Sequence, residues 1–330
     1  MNDLKPPPGN ERWRSLAKWI GRRPESLTLL ILGVAFGVSS LLSPYFLDLY
    51  FIFDSTSLYI EIGILALAMT FVIISGNIDL SVASGLALVA VVTAMLHVQL
   101  GLPMELVIVL ALAFGTLLGL FNGLLVAKLG LPSLAVTLGT LALYRGVAQI
   151  FLGDHSLSGF PEWFVGADFI KAGGLVPLPL IIFLLLALVL GLLLHKTVFG
   201  RYVYAVGANE AAARYAGIPV DRVKLAVFAL SGLMMGVGAL LMVSRLGVAR
   251  YDLAIGHELA VVTTVVLGGV HIYGGRGALF GVVIALFIIG FLRSGMGVAN
   301  IPSENQLVVI GILLLAAVAL GNVMEKLRKQ

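Results

Sequence analysis

"AVGANEAAARYAGIPVDRVK", residues 205–224, interrupts an otherwise apolar chain. Glu210, Arg214, Asp221, Arg222 and Lys224 crowd together here, while Leu, Val, Ala, Ile and Gly dominate both flanks. Local chemistry predicts a two-turn helix over residues 209–218. Asn209 is a good N-cap, and Glu210 falls in the first turn, where the helix dipole favours an anion. Ala211, Ala212 and Ala213 are the strongest helix formers. Glu210 and Arg214 stand four apart with the acid first, the favourable order for an ion pair. Gly217 can take the left-handed conformation just past the helix end, and Pro219 blocks continuation. Two turns are too few to be stable alone, so the rest of the molecule must hold this helix.

The flanks decide the fold class. Of the 330 residues, 60% are hydrophobic and only 12% are charged, and mean hydropathy is +1.07. Soluble domains are nearer half apolar and about a quarter charged, so these figures indicate a membrane protein. The chain has no cysteine, which excludes disulfides and thiolate chemistry. A bilayer core needs about 20 mostly apolar residues per helix. That template predicts an all-α polytopic protein of about ten spans, near residues 27–43, 58–75, 79–97, 104–127, 133–152, 177–195, 224–244, 257–272, 277–293 and 305–322.

Basic residues set the predicted orientation. Lys5, Arg12, Arg14, Lys18, Arg22 and Arg23 precede the first span and place the N-terminus in the cytoplasm. With about ten spans the C-terminus, "MEKLRKQ", lies there too, together with Lys128, the 196–224 stretch and Arg276. The 153–176 loop, with Asp154, Glu162 and Asp168 against Lys171, falls outside. The first residues lack the short apolar core and cleavage site of a secretory signal and read as a retained tail. The expected organisation is a cytoplasmic tail over 1–26, a transmembrane unit over 27–323 and a cytoplasmic tail over 324–330.

Two apolar runs break at glycine, cross a few polar residues and resume: "VIISGNIDLSVASG" (72–85) and "VVLGGVHIYGGRGALFG" (265–281). Interrupted segments in corresponding halves of a transporter point to a pathway, whereas tight cytoplasmic turns explain the same pattern without one. Ionisable groups inside spans face the bundle interior or a wet cavity. The candidate pathway residues are Asn77, Asp79, Asn122, Arg145, Gln149, Thr263 and Thr264. Asp79 can equally cap the third span, and Arg145 can pair with Asp154. Glu61 and Glu258 fall near outer span ends and read as interfacial residues that reach water. His155, His195, His257 and His271 have no metal spacing, and no nucleophile, His and acid constellation falls on one predicted surface.

"GANEAAARYAGIPVDRVKLAVFALSG" (207–232) resembles the cytoplasmic loop of permease subunits in the ribose-type family of bacterial ABC importers. "ISGNIDLSVAS" (74–84), "VAKLGLPSLAVTLGTLALYRG" (126–146) and the 265–281 stretch are similar to further segments of that family, in the same order across most of residues 55–320. Asn77 and Ala83 depart from it, standing where glycine is common. "VPLPLIIF", "LHKT" and "GGVHIYGG" bring the chain nearest to the rhamnose-type and autoinducer-2-type permeases. The resemblance implies a multi-pass protein of the bacterial inner membrane that translocates a sugar and needs no cofactor. It implies a separate ATPase subunit, a second permease of the same or a related chain, and a periplasmic sugar-binding protein, with no nucleic-acid partner. It makes Asn209, Glu210, Ala212, Ala213, Arg214 and Gly217 the coupling helix that docks on the ATPase through an alanine face. Consistently, the chain carries no G-x-x-x-x-G-K-[ST] phosphate loop of its own. A rhamnose- or ribose-like substrate is favoured over autoinducer-2. The rival of another class is an ion-coupled secondary carrier, which needs no ATPase.

Overall fold

A computed structural model describes residues 24–42 and 44–329. The basic residues of the predicted N-terminal tail, from Lys5 to Arg23, lie outside the described residues.

The chain folds as helices joined by short turns. In order they are α1 (Pro24–Leu42), α2 (Leu49–Asp54), α3 (Ile60–Ile74), α4 (Val82–Ala94), α5 (Met104–Ala127), α6 (Ser133–Leu152), α7 (Leu178–Lys196), α8 (Val198–Ala208), α9 (Glu210–Tyr215), α10 (Val220–Leu246), α11 (His257–Leu267), α12 (Leu279–Val298) and α13 (Ser303–Lys329). A π-helical turn, Met95–Gln99, extends α4. Two antiparallel two-residue ladders tie loops together: β1 (Leu157–Ser158) pairs with β4 (Val248–Ala249), and β2 (Lys171–Ala172) with β3 (Val176–Pro177).

Each of the ten predicted windows coincides with a helix, but length divides them. Among the described residues, six helices are long and apolar enough to cross a membrane: Val82–Gln99, Met104–Ala127, Ser133–Leu152, Leu178–Lys196, Val220–Leu246 and Leu279–Val298. A seventh candidate is the pair Leu49–Leu58 and Ile60–Ile74, bent by 59° at its break. The apolar parts near the first, eighth and tenth windows, Ile31–Leu42, His257–Leu267 and Ser303–Leu313, are shorter. By length and composition the described residues thus hold six or seven candidate spans; Gly268 ends the helix of the eighth window and the bend at Tyr59 breaks the second, while α1 and α13 run over 19 and 27 residues. The predicted tail over 324–330 is helical through residue 329 as the end of α13.

α3 and α4 form the centre. Every residue of α3 is buried, whereas α5, α6 and α7 turn roughly two-thirds of their surfaces outward. A soluble helix hides one stripe; an apolar helix buried all round marks the middle of a bundle. The closest packing is between α5 and α10, where glycines face each other. A Cβ on Gly115 would come within 2.6 Å of the Gly232 carbonyl oxygen, and one on Gly119 would collide with the Phe228 carbonyl. Small residues four apart let helix backbones approach in an environment where no hydrophobic effect drives helices together.

Candidate functional site

Three features meet at one end of the bundle. The first is the 75–81 break between α3 and α4. Asp79 is fully buried and has three donors: Ser81 N–H (3.1 Å) and Ser81 Oγ (2.6 Å) on Oδ1, and Ser231 Oγ (2.8 Å) on Oδ2. Asn122 donates to Ser81 Oγ (2.8 Å), and Tyr144 Oη donates to the Leu118 carbonyl (2.9 Å) and reaches Asn122 Oδ1 (3.3 Å). Asn77 bonds Ser75, while Ile78 is held by Ser133 (3.2 Å) and Thr137 (3.2 Å) at the start of α6. A buried carboxylate is tolerable only when its lone pairs are engaged, and here side chains from α5, α6 and α10 surround the break to engage them.

The second feature is the 268–278 break between α11 and α12. It packs directly on the first. Gly275 N–H donates to the Ile74 carbonyl (2.9 Å), and Tyr204 Oη to the Gly277 carbonyl (2.7 Å). A Cβ on Gly274 would lie 2.8 Å from Gly76, and one on Gly207 would collide with the Ile74 carbonyl. The two interrupted stretches are thus turns that touch each other and α8.

The third feature is α9, which follows α8 after Asn209 alone. Asn209 Oδ1 accepts from Ala212 N–H (2.9 Å), as the capping pattern predicts. Ile218 N–H bonds the Ala213 carbonyl (3.0 Å) and Gly217 N–H the Arg214 carbonyl (3.1 Å), with Gly217 at φ +79°. That paired closure is a Schellman cap, which needs a left-handed residue at Gly217. The Glu210–Arg214 pair forms but is long, at 3.6 Å. The tighter bonds run to α10: Arg214 to Asp221 at 2.8 Å and Lys224 to Glu210 at 2.7 Å. The Asp221 carboxylate raises the Arg214 pKa above the ordinary guanidinium value, so the pair stays charged.

The expected alanine face of α9 is split. Ala213 is buried in the core of this chain, while Ala211, Ala212, Arg214 and Tyr215 are exposed, Tyr215 at 94%. Ala213 therefore seats α9 and is unavailable as an outward contact. Glu210, Ala211, Arg214 and Tyr215 line a shallow groove of about 420 Å³.

The remaining candidates scatter. Arg145, far along α6, donates to the carbonyls of Tyr251 and Leu253 (2.7 Å for the latter) rather than pairing with Asp154, so it clamps the 250–256 loop at the opposite end. Gln149 is exposed on α6. Thr263 and Thr264 are buried and bond the Leu259 and Ala260 carbonyls of their own helix, at 2.7 Å each. Of the predicted pathway set, only Asn77, Asp79 and Asn122 come together. Glu61 is also corrected: it is buried, not interfacial, and pairs with Arg245 at 2.9 Å. Sequence reasoning missed Ser81, Ser231 and Tyr144 in the Asp79 network, because hydroxyls from distant helices carry no spacing signal. It also missed the glycine seam, although Gly115, Gly119 and Gly123 stand four apart in plain view.

The sequence profile described as "Branched-chain amino acid transport system / permease component" matches residues 51–318, which include both breaks and α9. The chain belongs to this permease family. Over 296 residues it is 41% identical to the autoinducer 2 import system permease protein LsrD of Escherichia coli (strain K12), and equally to LsrD of Shigella flexneri, covering 88% of this chain and 88% of each relative. No solved structure matches the chain. The permease is thus a multi-pass membrane subunit of the ABC importer class that serves sugars and autoinducer-2, as its sequence motifs suggested.

Proposed function

We propose that this permease carries autoinducer-2 or a closely similar hydroxylated molecule across the bacterial inner membrane, with α9 facing the cytoplasm and docking on a separate ATPase subunit. The observation that carries the substrate reading is 41% identity to LsrD spread over 88% of both chains. Likeness on that scale favours autoinducer-2 over the rhamnose- or ribose-like substrate expected from the sequence alone. A periplasmic binding protein would deliver the molecule, and a second permease, identical or related, would complete the membrane pathway. The transmembrane unit then spans about residues 27–323 between two cytoplasmic tails.

The coupling role rests on geometry. α9 is held by one cap at each end, seated by Ala213, and tied by two ion pairs to the long helix α10. α8 joins it to the junction where both breaks meet, through Gly207 and Ala208. A push on the exposed Ala211–Tyr215 face would therefore reach α3, α10 and α12 through packed backbone rather than through flexible loops. Asn77, Asp79 and Asn122 lie within that block and would set its shape.

The test is reconstitution of the permease with an ATPase subunit and a periplasmic binding protein of the same importer class. Uptake of autoinducer-2 dependent on ATP is the expected result; preferential uptake of L-rhamnose or D-ribose would return the substrate to the sugar reading. Uptake driven by an ion gradient with no ATPase present would overturn the importer assignment in favour of a secondary carrier.

A further inference from the structure

Among the described residues, seven buried side-chain atoms have no protein partner: Ser57 Oγ, Tyr59 Oη, Glu61 Oε2, Asp168 Oδ1, His257 Nδ1, Arg293 Nε and Ser294 Oγ. Every one lies at the end of the bundle opposite α9. Three of them belong to residues that line a single cavity. It has a volume of about 310 Å³ and lies between the bend at α2 and α3 and the facing ends of α12 and α13. Tyr59, Arg293, Ser294, Gly297 and Gln306 supply its polar and open wall, and Phe51 an apolar one. Tyr59 is fully buried and Ser294 is 5% exposed. Arg293 makes no ion pair among the described residues.

We propose that this cavity binds the transported molecule at the outer end of the pathway and takes a small molecule rich in hydroxyl oxygens. The inference rests on the permease reading above. An unpaired buried hydroxyl or guanidinium N–H is costly, and sites that recognise small polar molecules hold such groups ready for the ligand. The wall offers two hydroxyls that both donate and accept, one donor-only guanidinium and one amide. No carboxylate lines the cavity, so it does not select a cation, and the arginine among apolar neighbours calls for a ligand rich in acceptor oxygens. The volume falls at the lower end of the roughly 300–1,000 Å³ usual for small-ligand sites.

The fold fixes these groups. A Cβ on Gly290 would collide with the Tyr59 ring, so α12 leaves a slot in which the ring lies and its hydroxyl is positioned. A Cβ on Gly297, by contrast, would meet nothing within 4 Å. That residue borders open space, and a larger side chain there can fill the cavity without moving backbone.

The experiment uses the complete importer in proteoliposomes, with autoinducer-2, L-rhamnose and D-ribose as probes. Tyr59→Phe and Ser294→Ala each remove one unpartnered hydroxyl. A purely structural role predicts unchanged or improved thermal stability with unchanged transport. The proposal predicts the same stability with a rise in KM of tenfold or more. Gly297→Leu should abolish uptake while the protein stays folded and inserted at normal abundance. Normal uptake in Gly297→Leu overturns the site. Loss in Gly297→Leu with unchanged KM in both hydroxyl variants overturns the claim that Tyr59 and Ser294 bind the ligand. If the unmodified importer moves none of the three probes, the substrate reading fails first and takes this site with it.

Discussion

The two ends of the bundle solve the problem of burying polar groups in opposite ways. At the α9 end, Asp79 is wrapped by hydroxyls, Asn122 and Tyr144 finish the network, and two glycine-rich turns pack backbone on backbone. At the other end long-range ties such as Glu61 to Arg245 and Arg145 to the Tyr251 and Leu253 carbonyls stand beside seven buried atoms that, among the described residues, have no partner. A fully satisfied network is stiff and specifies one arrangement; unsatisfied groups favour whatever supplies partners. The contrast fits the proposed roles, transmission of force at the first end and recognition at the second. It also makes the ends sensitive to different substitutions: charge at the end opposite α9, volume at the α9 end.

The largest effect is expected at the Glu61–Arg245 ion pair. Glu61 is 1% exposed and the Arg245 side chain 17%. Removing one member of such a pair strands the other, a loss of about 3–5 kcal/mol. Glu61→Ala should therefore lower membrane abundance and thermal stability sharply. Adding Arg245→Met should restore much of the loss, since replacing both partners by apolar groups is often neutral. A double variant no more stable than Glu61→Ala would show that the pair is not what holds α3 to α10.

At the α9 end a single methyl group should do comparable harm. Gly207→Ala places a Cβ against the Ile74 carbonyl oxygen, a backbone atom that cannot turn aside. Overpacking of a tight core costs about 1–3 kcal/mol, and a backbone clash belongs at or above the top of that range. Gly139→Ala in α6, where the new methyl meets nothing within 4 Å, is the control and should be neutral or slightly stabilising. Equal melting temperatures for the two variants would mean the junction is loose, and the stiff-end argument would fail.

How far the sequence revealed this contrast depends on the range of the interaction. Local features were legible: Asn209 as cap, Gly217 as left-handed terminator and the end of α9 before Pro219 all follow from neighbours within eight residues. Helix positions were legible too, because hydropathy is a windowed local sum. The interruptions were less so, since the bend before Ile60 and the stop at Gly268 depend on packing against other helices. The site was legible only by half. Asp79 and Asn122 stood out as polar residues in apolar runs, but their meeting through Ser81 and Ser231 needs two helices 152 residues apart in the chain. Glu61 was misplaced for the same reason: its partner Arg245 is 184 residues away. Ala213 looked equivalent to Ala212 because helical spacing does not say which side of a free-standing turn the protein covers.

A smaller effect is expected from the cap of α9. Asn209→Ala removes the acceptor of the Ala212 N–H and should cost about 1 kcal/mol of local helix stability. Hydrogen–deuterium exchange should show faster exchange confined to residues 210–217, with α3 and α10 unchanged. Asn209→Asp keeps an acceptor at the cap and should exchange as the unmodified protein does. Faster exchange spreading into α10 would mean that the ion pairs to Asp221 and Lys224 depend on the cap.

The smallest folding effect, and the sharpest functional one, is expected at Ala212. Its side chain is exposed on α9, so Ala212→Glu should change stability by no more than about 0.5 kcal/mol. An acid in the first turns of a helix is, if anything, favoured by the dipole. The same substitution places a charge in the face proposed to enter the ATPase groove, and each 1.4 kcal/mol lost there lowers binding about tenfold. The expected signature is normal insertion and melting, at least tenfold weaker co-purification of the ATPase, and no substrate-stimulated ATP hydrolysis. Ala213→Glu must behave differently: its side chain is buried within this chain, so the acid would unseat α9 and destabilise the protein itself. Tyr215→Ala, which trims the most exposed aromatic on the helix, should weaken ATPase binding as Ala212→Glu does. If Ala212→Glu and Tyr215→Ala both bind the ATPase and transport normally, α9 is only a capped turn closing the gap between α8 and α10, and the stiff end of the bundle has no partner to push on it.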